Sequence, residues 1–156
     1  MTLTISSPEF EDGGAIPSKF TCEGEDASPV LRFSGVPAGA KTLVLIVDDP
    51  DAPDPAAPKM TWVHWVIFNL PPDTAELGES VEQLPAGAEN GLNDWKRTGW
   101  GGPCPPTGRH RYFFKLYALD TRLEGLSEPR KDDVLAAIKG HVIAETRIIG
   151  TYKKTG

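Results

Sequence analysis

Three runs of apolar residues stand out along the chain and predict buried strands. They are Leu43–Val47, Trp62–Leu70 and Arg111–Leu119. Each run is short, is rich in β-branched or aromatic residues, and ends at proline or aspartate, which favours a strand over a helix. Because polar residues interrupt these runs so little, both faces of each strand should be covered, as in the core of a sandwich of two sheets.

Weaker apolar segments predict three further strands and one helix. The strands are expected at Leu3–Ser6, Val30–Phe33 and Arg147–Tyr152. The helix is expected between Pro129, which suits a first turn, and Gly140, which can end a helix. Its apolar stripe would consist of Val134, Leu135 and Ile138. The pattern therefore predicts an all-β-dominated fold, a β-sandwich of mainly antiparallel strands with one or two short peripheral helices.

Length, composition and charge narrow the possible functions. The 156 residues fit a single domain spanning residues 1–156, and 39% hydrophobic with 24% charged residues is a globular composition. A net charge of −6 argues against coating nucleic acid and against constant adhesion to anionic membranes. The N-terminal residues lack the pattern of a signal peptide, and no apolar stretch is long enough for a membrane span. We therefore expect a cytoplasmic protein without stable membrane insertion.

Cysteine usage adds little at this stage. Cys22 and Cys104 are too few for a disulfide framework and do not have the spacing of a metal site. Unpaired thiols are the expectation, and a single bridge between them stays open.

Glycine and proline, 16 and 15 residues, cluster in long segments between the predicted strands. These segments are Pro8–Ala27, Asp48–Pro58 and Gly78–Gly108. Long irregular loops in a compact domain commonly form a functional site. The candidate chemistry is therefore sought there.

The first candidate group is an acidic, proline-rich segment that follows the first buried strand. In an extended chain Asp49 and Asp51 would point the same way, and Pro50 and Pro53 would stiffen the backbone around them. Taken alone, this pattern favours a turn that merely ends a strand.

The second candidate is a histidine inside an apolar strand. His64 is expected to share its face with Trp62, Val66 and Phe68, and therefore to be buried. Taken alone, His64 is better explained as a core histidine bonded to a backbone carbonyl.

The third candidate is the stiff Gly101–Gly108 loop, which leads directly into the third strand. His110 and Tyr112 lie two residues apart on one face of that strand, with Arg111 on the other. Two donors beside glycine N–H groups suit an anion. A tight turn beside an aromatic rim is the alternative.

Together these segments resemble the signature regions of the phosphatidylethanolamine-binding protein family, especially its bacterial and archaeal Raf kinase inhibitor-like branch. The matching stretches are Asp49-Pro50-Asp51-Ala52-Pro53, Trp62-x-His64 and Gly102-Pro103-Cys104-Pro105-Pro106-x-Gly108-x-His110-Arg111-Tyr112. The resemblance spans nearly the whole chain. It departs from the family pattern at Val30, at Trp95-Lys96 and at Trp100.

The resemblance implies a small cavity that accepts phosphate-like or carboxylate anions, including phosphoryl head groups. The implied pocket residues are Asp49, Asp51, His64, His110 and Tyr112, with Trp62, Gly102, Pro103 and Cys104 as its wall. Our hypothesis is that the carboxylates orient the two histidines, which donate to the anion beside Tyr112. The resemblance also implies a cis peptide near Asp49–Pro50 and a homodimer.

The functional expectation is a non-enzymatic binding and regulatory module without a cofactor, similar to relatives that inhibit kinases or proteases. No Ser or Cys stands in a recognisable nucleophile motif. The alternative is a metal-dependent hydrolase with Asp49, Asp51, His64 and His110 as ligands. A third reading is an interaction scaffold whose pocket is vestigial.

Overall fold

The computed structural model describes residues 2–81 and 83–154. Its strands are β1 (Thr4–Ser6), β2 (Leu31–Ser34), β3 (Thr42–Ala52), β4 (Met60–Leu70), β5 (Glu76–Leu77), β6 (Glu89–Asn90), β7 (His110–Leu119) and β8 (Val142–Tyr152). A 3₁₀ turn occupies Ser18–Phe20, and helix α1 spans Lys131–Ile138. All six predicted strands and the predicted helix are present. The two-residue strands β5 and β6 carry too short a pattern for the sequence to predict.

The strands form two sheets in which every neighbouring pair is antiparallel. One has three strands in the order β1-β2-β5, and the other has five in the order β6-β4-β3-β7-β8. Side chains of both sheets meet in one buried cluster, to which Phe33 and Leu45 contribute from opposite layers. The predicted β-sandwich is confirmed.

Helix α1 covers part of the outer face of the five-stranded sheet. Val134 and Ile138 are buried there in one apolar cluster that includes Val66 of β4 and Ile46 of β3, while Leu135 is only partly buried. The apolar runs of the central strands are continuous because the other sheet covers one face and this helix covers the other. In the described residues, no helix is long and apolar enough to cross a membrane.

A β-bulge in β4 places His64. Val47 pairs with Trp65 and the next residue, Asp48, pairs with Val63, so His64 is an extra residue in the strand. Trp65 consequently packs between the sheets, whereas Val63 and Val66 pack on the outer face. The prediction that His64 shares a face with Val66 and Phe68 is wrong, because it assumed an unbroken alternation.

The acidic segment predicted as a loop is the end of a strand. β3 continues through Asp48, Asp49 and Asp51 to Ala52, and its pairing with β4 is irregular beyond Asp49. A cis peptide bond lies at Ala52–Pro53, near Asp49–Pro50 as the resemblance implied but not at that bond itself.

The two cysteines form a disulfide, so the expectation of unpaired thiols is wrong. Cys22 and Cys104 are 82 positions apart in sequence, yet their Cα atoms are 5.4 Å apart. The bridge joins the N-terminal loop to the Gly/Pro loop, and the Cys22 N–H also donates to the Pro103 carbonyl at 3.1 Å. Disulfides are uncommon in reducing compartments, so this bridge lends no support to the expected cytoplasmic location, which stays a prediction.

Candidate functional site

A cavity of about 400 Å³ opens at the end of the five-stranded sheet where β3 ends and β4 and β7 begin. The three candidate segments meet here although they lie far apart in the sequence. The lining is Asp49, Ala52, Pro53, Met60, Trp62, His64, Trp95, Cys104, Pro105, Pro106, His110 and Tyr112. Most of these side chains are apolar or aromatic, with a few polar groups between them, which is typical of small-ligand sites.

The buried Asp49 carboxylate and the His110 ring form a pair on one wall of the cavity. His110 Nδ1 lies 2.6 Å from Asp49 Oδ2, and the Asp51 backbone N–H donates to Asp49 Oδ1 at 2.7 Å. Burial raises the pKa of Asp49 above its ordinary value, although the hydrogen bonds from His110 and Asp51 oppose the shift. These two hydrogen bonds hold the Asp49 carboxylate beside His110 and compensate its charge within the site.

Both ring nitrogens of His110 are occupied by protein atoms. Nε2 lies 3.0 Å from the Pro53 carbonyl and 2.8 Å from the Thr107 carbonyl, so it must carry a hydrogen. One further proton is shared between Nδ1 and Asp49, and wherever it sits the pair has no net charge. The hypothesis that His110 donates to a ligand is therefore wrong for this arrangement, because His110 has no N–H left to offer.

His64 is tied to the glycine loop and stays neutral. Its Nδ1–H donates to the Gly101 carbonyl at 2.6 Å, and the Gly101 N–H donates back to the His64 carbonyl at 3.0 Å. Burial lowers the pKa of His64 to about 4. At neutral pH the ring therefore has an acceptor nitrogen, Nε2, rather than the donor that we hypothesised.

The Tyr112 hydroxyl is a buried polar group of the cavity that lacks a partner among the described residues. Tyr112 is only 1% exposed, and its oxygen makes no hydrogen bond within residues 2–81 and 83–154. Burial raises the pKa of Tyr112, so the hydroxyl keeps its proton. The ring lies between the two histidines, with ring centroids 5.1 Å from His64 and 6.4 Å from His110. A buried hydroxyl without a partner is costly, and its position on the cavity lining points to a ligand that accepts its hydrogen.

Two tryptophans form the aromatic wall. The Trp62 and Trp95 rings meet edge to face with centroids 5.5 Å apart, and Trp95 is also 5.1 Å from the His64 ring. Trp62 was predicted and Trp95 was missed. The available signal was that Trp95 is an aromatic residue at a position where the sequence departs from the family pattern.

Three of the predicted site residues lie outside the cavity lining: Asp51, Gly102 and Pro103. Asp51 forms two side-chain hydrogen bonds with Arg111, at 2.9 and 3.0 Å, and these hold the pKa of Asp51 below its usual value. Asp49 lines the cavity, whereas Asp51 is turned toward Arg111. The two carboxylates face different partners because the strand pairing is irregular beyond Asp49. The Gly102 N–H donates to Asp26, and a Cβ at Gly102 would collide with the Phe20 carbonyl, so this glycine allows two loops to pack closely.

The ligand set of the hydrolase alternative is not assembled. In the part of the chain that the structure describes, no three His, Cys, Asp or Glu residues are placed to hold a metal ion. Asp51 is paired with Arg111, and His110 is enclosed by carbonyls. The alternative is not favoured.

A model of the phosphatidylethanolamine-binding protein family matches residues 6–153. The chain belongs to this family. A relative from Methanothermobacter thermautotrophicus, named UPF0098 protein, is 50% identical in sequence. The alignment covers 97% of this chain and 99% of the relative. The resemblance stated from the sequence motifs is thus confirmed.

Two solved structures of family members share the fold over their full length. The crystal structure of a putative phosphatidylethanolamine-binding protein homologue from Chlamydia trachomatis matches with a TM-score of 0.91 and 42% identity, over 98% of each chain. YbcL from E. coli, described as a member of the mammalian family, matches with a TM-score of 0.88 and 32% identity, over 99% of this chain and all of YbcL. The names of these relatives assign no specific function beyond the family.

Proposed function

We propose that this family member is a non-enzymatic binding module whose cavity holds a small anion, a phosphoryl head group above all, and that the occupied cavity regulates a partner protein. The observation that carries the proposal is the buried Tyr112 hydroxyl, which keeps its hydrogen and lacks a partner in the described chain. An anionic oxygen at that position would accept this hydrogen and remove the cost of burying it unpaired.

The negative charge of the ligand would also change the protonation of a second group in the cavity, His64. The Asp49–His110 pair contributes no net charge, so it neither repels nor strongly attracts an anion. Burial keeps His64 neutral in the empty cavity, but a nearby negative charge favours the imidazolium. A bound anion would therefore draw a proton onto His64, which would then donate through Nε2.

The rest of the cavity lining suits a ligand with a compact charged group at one end and an apolar portion at the other. Trp62, Trp95 and the exposed side of Met60, which is 49% exposed, give an apolar route to the polar end of the cavity. A phosphoryl group on a lipid or on a protein, such as a kinase or protease partner, would offer the same chemistry at Tyr112.

Two of the groups that an enzyme could use are already engaged. Cys104 is in the disulfide, and both nitrogens of His110 face protein atoms. His64 Nε2 is a free base, but with a pKa of about 4 it is too weak a base to activate water efficiently at neutral pH. This supports binding rather than turnover.

Calorimetric titration tests the proposal, with inorganic phosphate and phosphorylethanolamine as probes at pH 5. We expect the dissociation constant to rise about tenfold or more in Tyr112→Phe and His64→Leu, since each loses a hydrogen bond to a charged group. His141→Leu is the matched control, because His141 is exposed and pairs with Asp120 outside the cavity. Affinity that is unchanged in both site variants would reject the proposed anion site.

A further inference from the structure

The outer face of strands β7 and β8 carries a group of basic side chains. Helix α1 packs over an apolar cluster that lies mainly on β3 and β4. Beside that cluster, Arg111 and Arg147 are exposed and Lys115 is partly exposed. Arg109 lies on the same face, since its guanidinium donates to the hydroxyl of Thr151, the residue opposite Arg111. We call Arg109, Arg111, Lys115 and Arg147 the cationic face.

One aromatic ring lies against three of these cations. The ring centroid of Phe113 is 5.4 Å from Arg111 Cζ and 5.0 Å from Arg147 Cζ. Lys115 Nζ is 5.7 Å from the same centroid. Each cation is attracted to the electron-rich face of the ring, so the ring holds three positive charges close together. The cationic face is therefore a preformed cluster rather than a set of separate solvated side chains.

The carboxylates that compensate these charges lie behind them, within the sheet. Asp51 is 5% exposed and pairs with Arg111, and Asp48 is 1% exposed and pairs with Lys115 at 3.0 Å. Asp48 also pairs with Lys131 at 2.6 Å, so one negative charge serves two ammonium groups. A partner that approaches from solvent therefore meets the cations before it meets these carboxylates.

Arg147 has no carboxylate partner within residues 2–81 and 83–154. It lies directly opposite Lys115 in the β7–β8 ladder, and like charges in that position destabilise a strand pair. Both side chains line a cavity of about 330 Å³, which Glu145 also lines without pairing with either of them. A carboxylate supplied from outside, between Lys115 and Arg147, would relieve this repulsion.

We propose that the cationic face binds an extended acidic segment of a partner protein, through two carboxylates that are four residues apart. One carboxylate would bind between Lys115 and Arg147. The other would bind at Arg109 and Arg111, since Arg111 uses only two of its five N–H groups for Asp51.

The spacing of the cations sets the spacing of the acidic residues. Arg111 and Lys115 are four residues apart on one strand, which corresponds to about 13 Å. In an extended segment the side chains at i and i+4 point the same way and span the same distance. The side chain at i+2 would lie over the ladder pair Phe113 and Ile149, of which Ile149 is partly exposed. An apolar residue is therefore expected midway between the two acidic residues.

The overall charge favours a short acidic segment over a large polyanion. The chain has a net charge of −6, so most of its surface would repel a nucleic acid or an anionic membrane. A segment of five residues would contact the cationic face alone. The inference goes beyond the proposed anion cavity and does not depend on it, because Tyr112 packs on the opposite side of the sheet.

Fluorescence anisotropy with a labelled peptide tests the proposal. The probe has two glutamates four positions apart, valine midway and threonine at the other two positions. We expect it to bind the wild-type chain about threefold or more tightly than a control peptide of the same composition with adjacent glutamates. Replacing one glutamate of the probe by glutamine should weaken binding by a similar factor, and added salt should weaken it further.

Variants of Arg147 locate the binding site. Arg147→Glu should raise the dissociation constant of the probe about tenfold or more, because repulsion replaces attraction. Arg147→Lys should bind almost as well as the wild type. Lys139→Glu is the matched control, since it changes the net charge equally at an exposed position outside the cationic face. Tyr112→Phe should bind the probe like the wild type, which separates this site from the cavity.

Four results would overturn the proposal. The first is a wild-type chain that does not bind the probe at millimolar concentration, and the second is unchanged affinity in Arg147→Glu. The third is binding to phosphatidylglycerol vesicles, but not to the probe, that Arg147→Glu abolishes, since a lipid surface would then occupy the face. The fourth is a dimer that Arg147→Glu dissociates, since a second copy of the chain would then cover it.

Discussion

Replacing Tyr112 by phenylalanine should have opposite effects on the empty and the occupied protein. In the empty protein the change removes a buried hydroxyl that has no partner among the described residues and leaves the ring packing intact. An unsatisfied buried polar group costs about 1–3 kcal/mol, so the free energy of unfolding should rise by about that amount. In the occupied protein the same change removes a donor to the anion. A substitution that stabilises the protein without ligand but weakens ligand binding is the result expected when the removed group serves binding rather than folding.

Urea unfolding without and with saturating phosphate measures both effects. Tyr152→Phe is the matched control, because the Tyr152 hydroxyl donates to Glu23. That variant loses a hydrogen bond and should be destabilised in both conditions. If Tyr112→Phe instead unfolds at lower urea than the wild type without phosphate, the hydroxyl has a partner in the empty protein. The reasoning about the site would then be refuted.

Three further predictions concern the proton, the bridge and the close packing of the loops. Burial lowers the pKa of His64 to about 4, and a bound anion should raise it again, so sulfate binding should take up a proton. Calorimetry should then show the affinity for sulfate falling by up to about tenfold per pH unit as the pH rises above about 4. An affinity that does not change with pH would contradict this prediction. The 82-position separation of Cys22 and Cys104 predicts that replacing both by serine lowers the free energy of unfolding by about 4–5 kcal/mol; reductant should destabilise the wild type similarly in urea unfolding and leave the variant unaffected. Gly102→Ala should cost about 1–3 kcal/mol in the same measurement because its Cβ would collide with neighbouring backbone, whereas Gly78→Ala, where a Cβ meets nothing within 4 Å, should be nearly neutral.

The main lines of the fold were predictable because burial leaves a strong local pattern. The runs in β3, β4 and β7 are apolar on both faces, and prolines or aspartates mark where they end. The ends of β3 and β8 were underestimated, since Asp49, Asp51 and Glu145 are polar residues inside strands. Their strand conformation depends on ladder hydrogen bonds and on partners such as His110 and Arg111, which are distant in sequence.

The residues of the site were predictable in identity but less so in role. The motifs brought Asp49, His64, His110 and Tyr112 to one cavity, as expected. Proton positions could not be inferred, because they depend on which carbonyls face each ring. The disulfide was likewise open in the sequence, since only the packing of the two loops brings the cysteines together.

The extra residue in β4 has a consequence for how one strand serves both the cavity and the core. Without His64, the strand on either side would continue with an undisturbed alternation, Trp62 toward the cavity and Val63 toward the helix side. The imidazole therefore behaves as an insertion in an otherwise regular ladder. The bulge therefore adds an imidazole to the cavity without changing which neighbouring side chains of β4 pack between the two sheets.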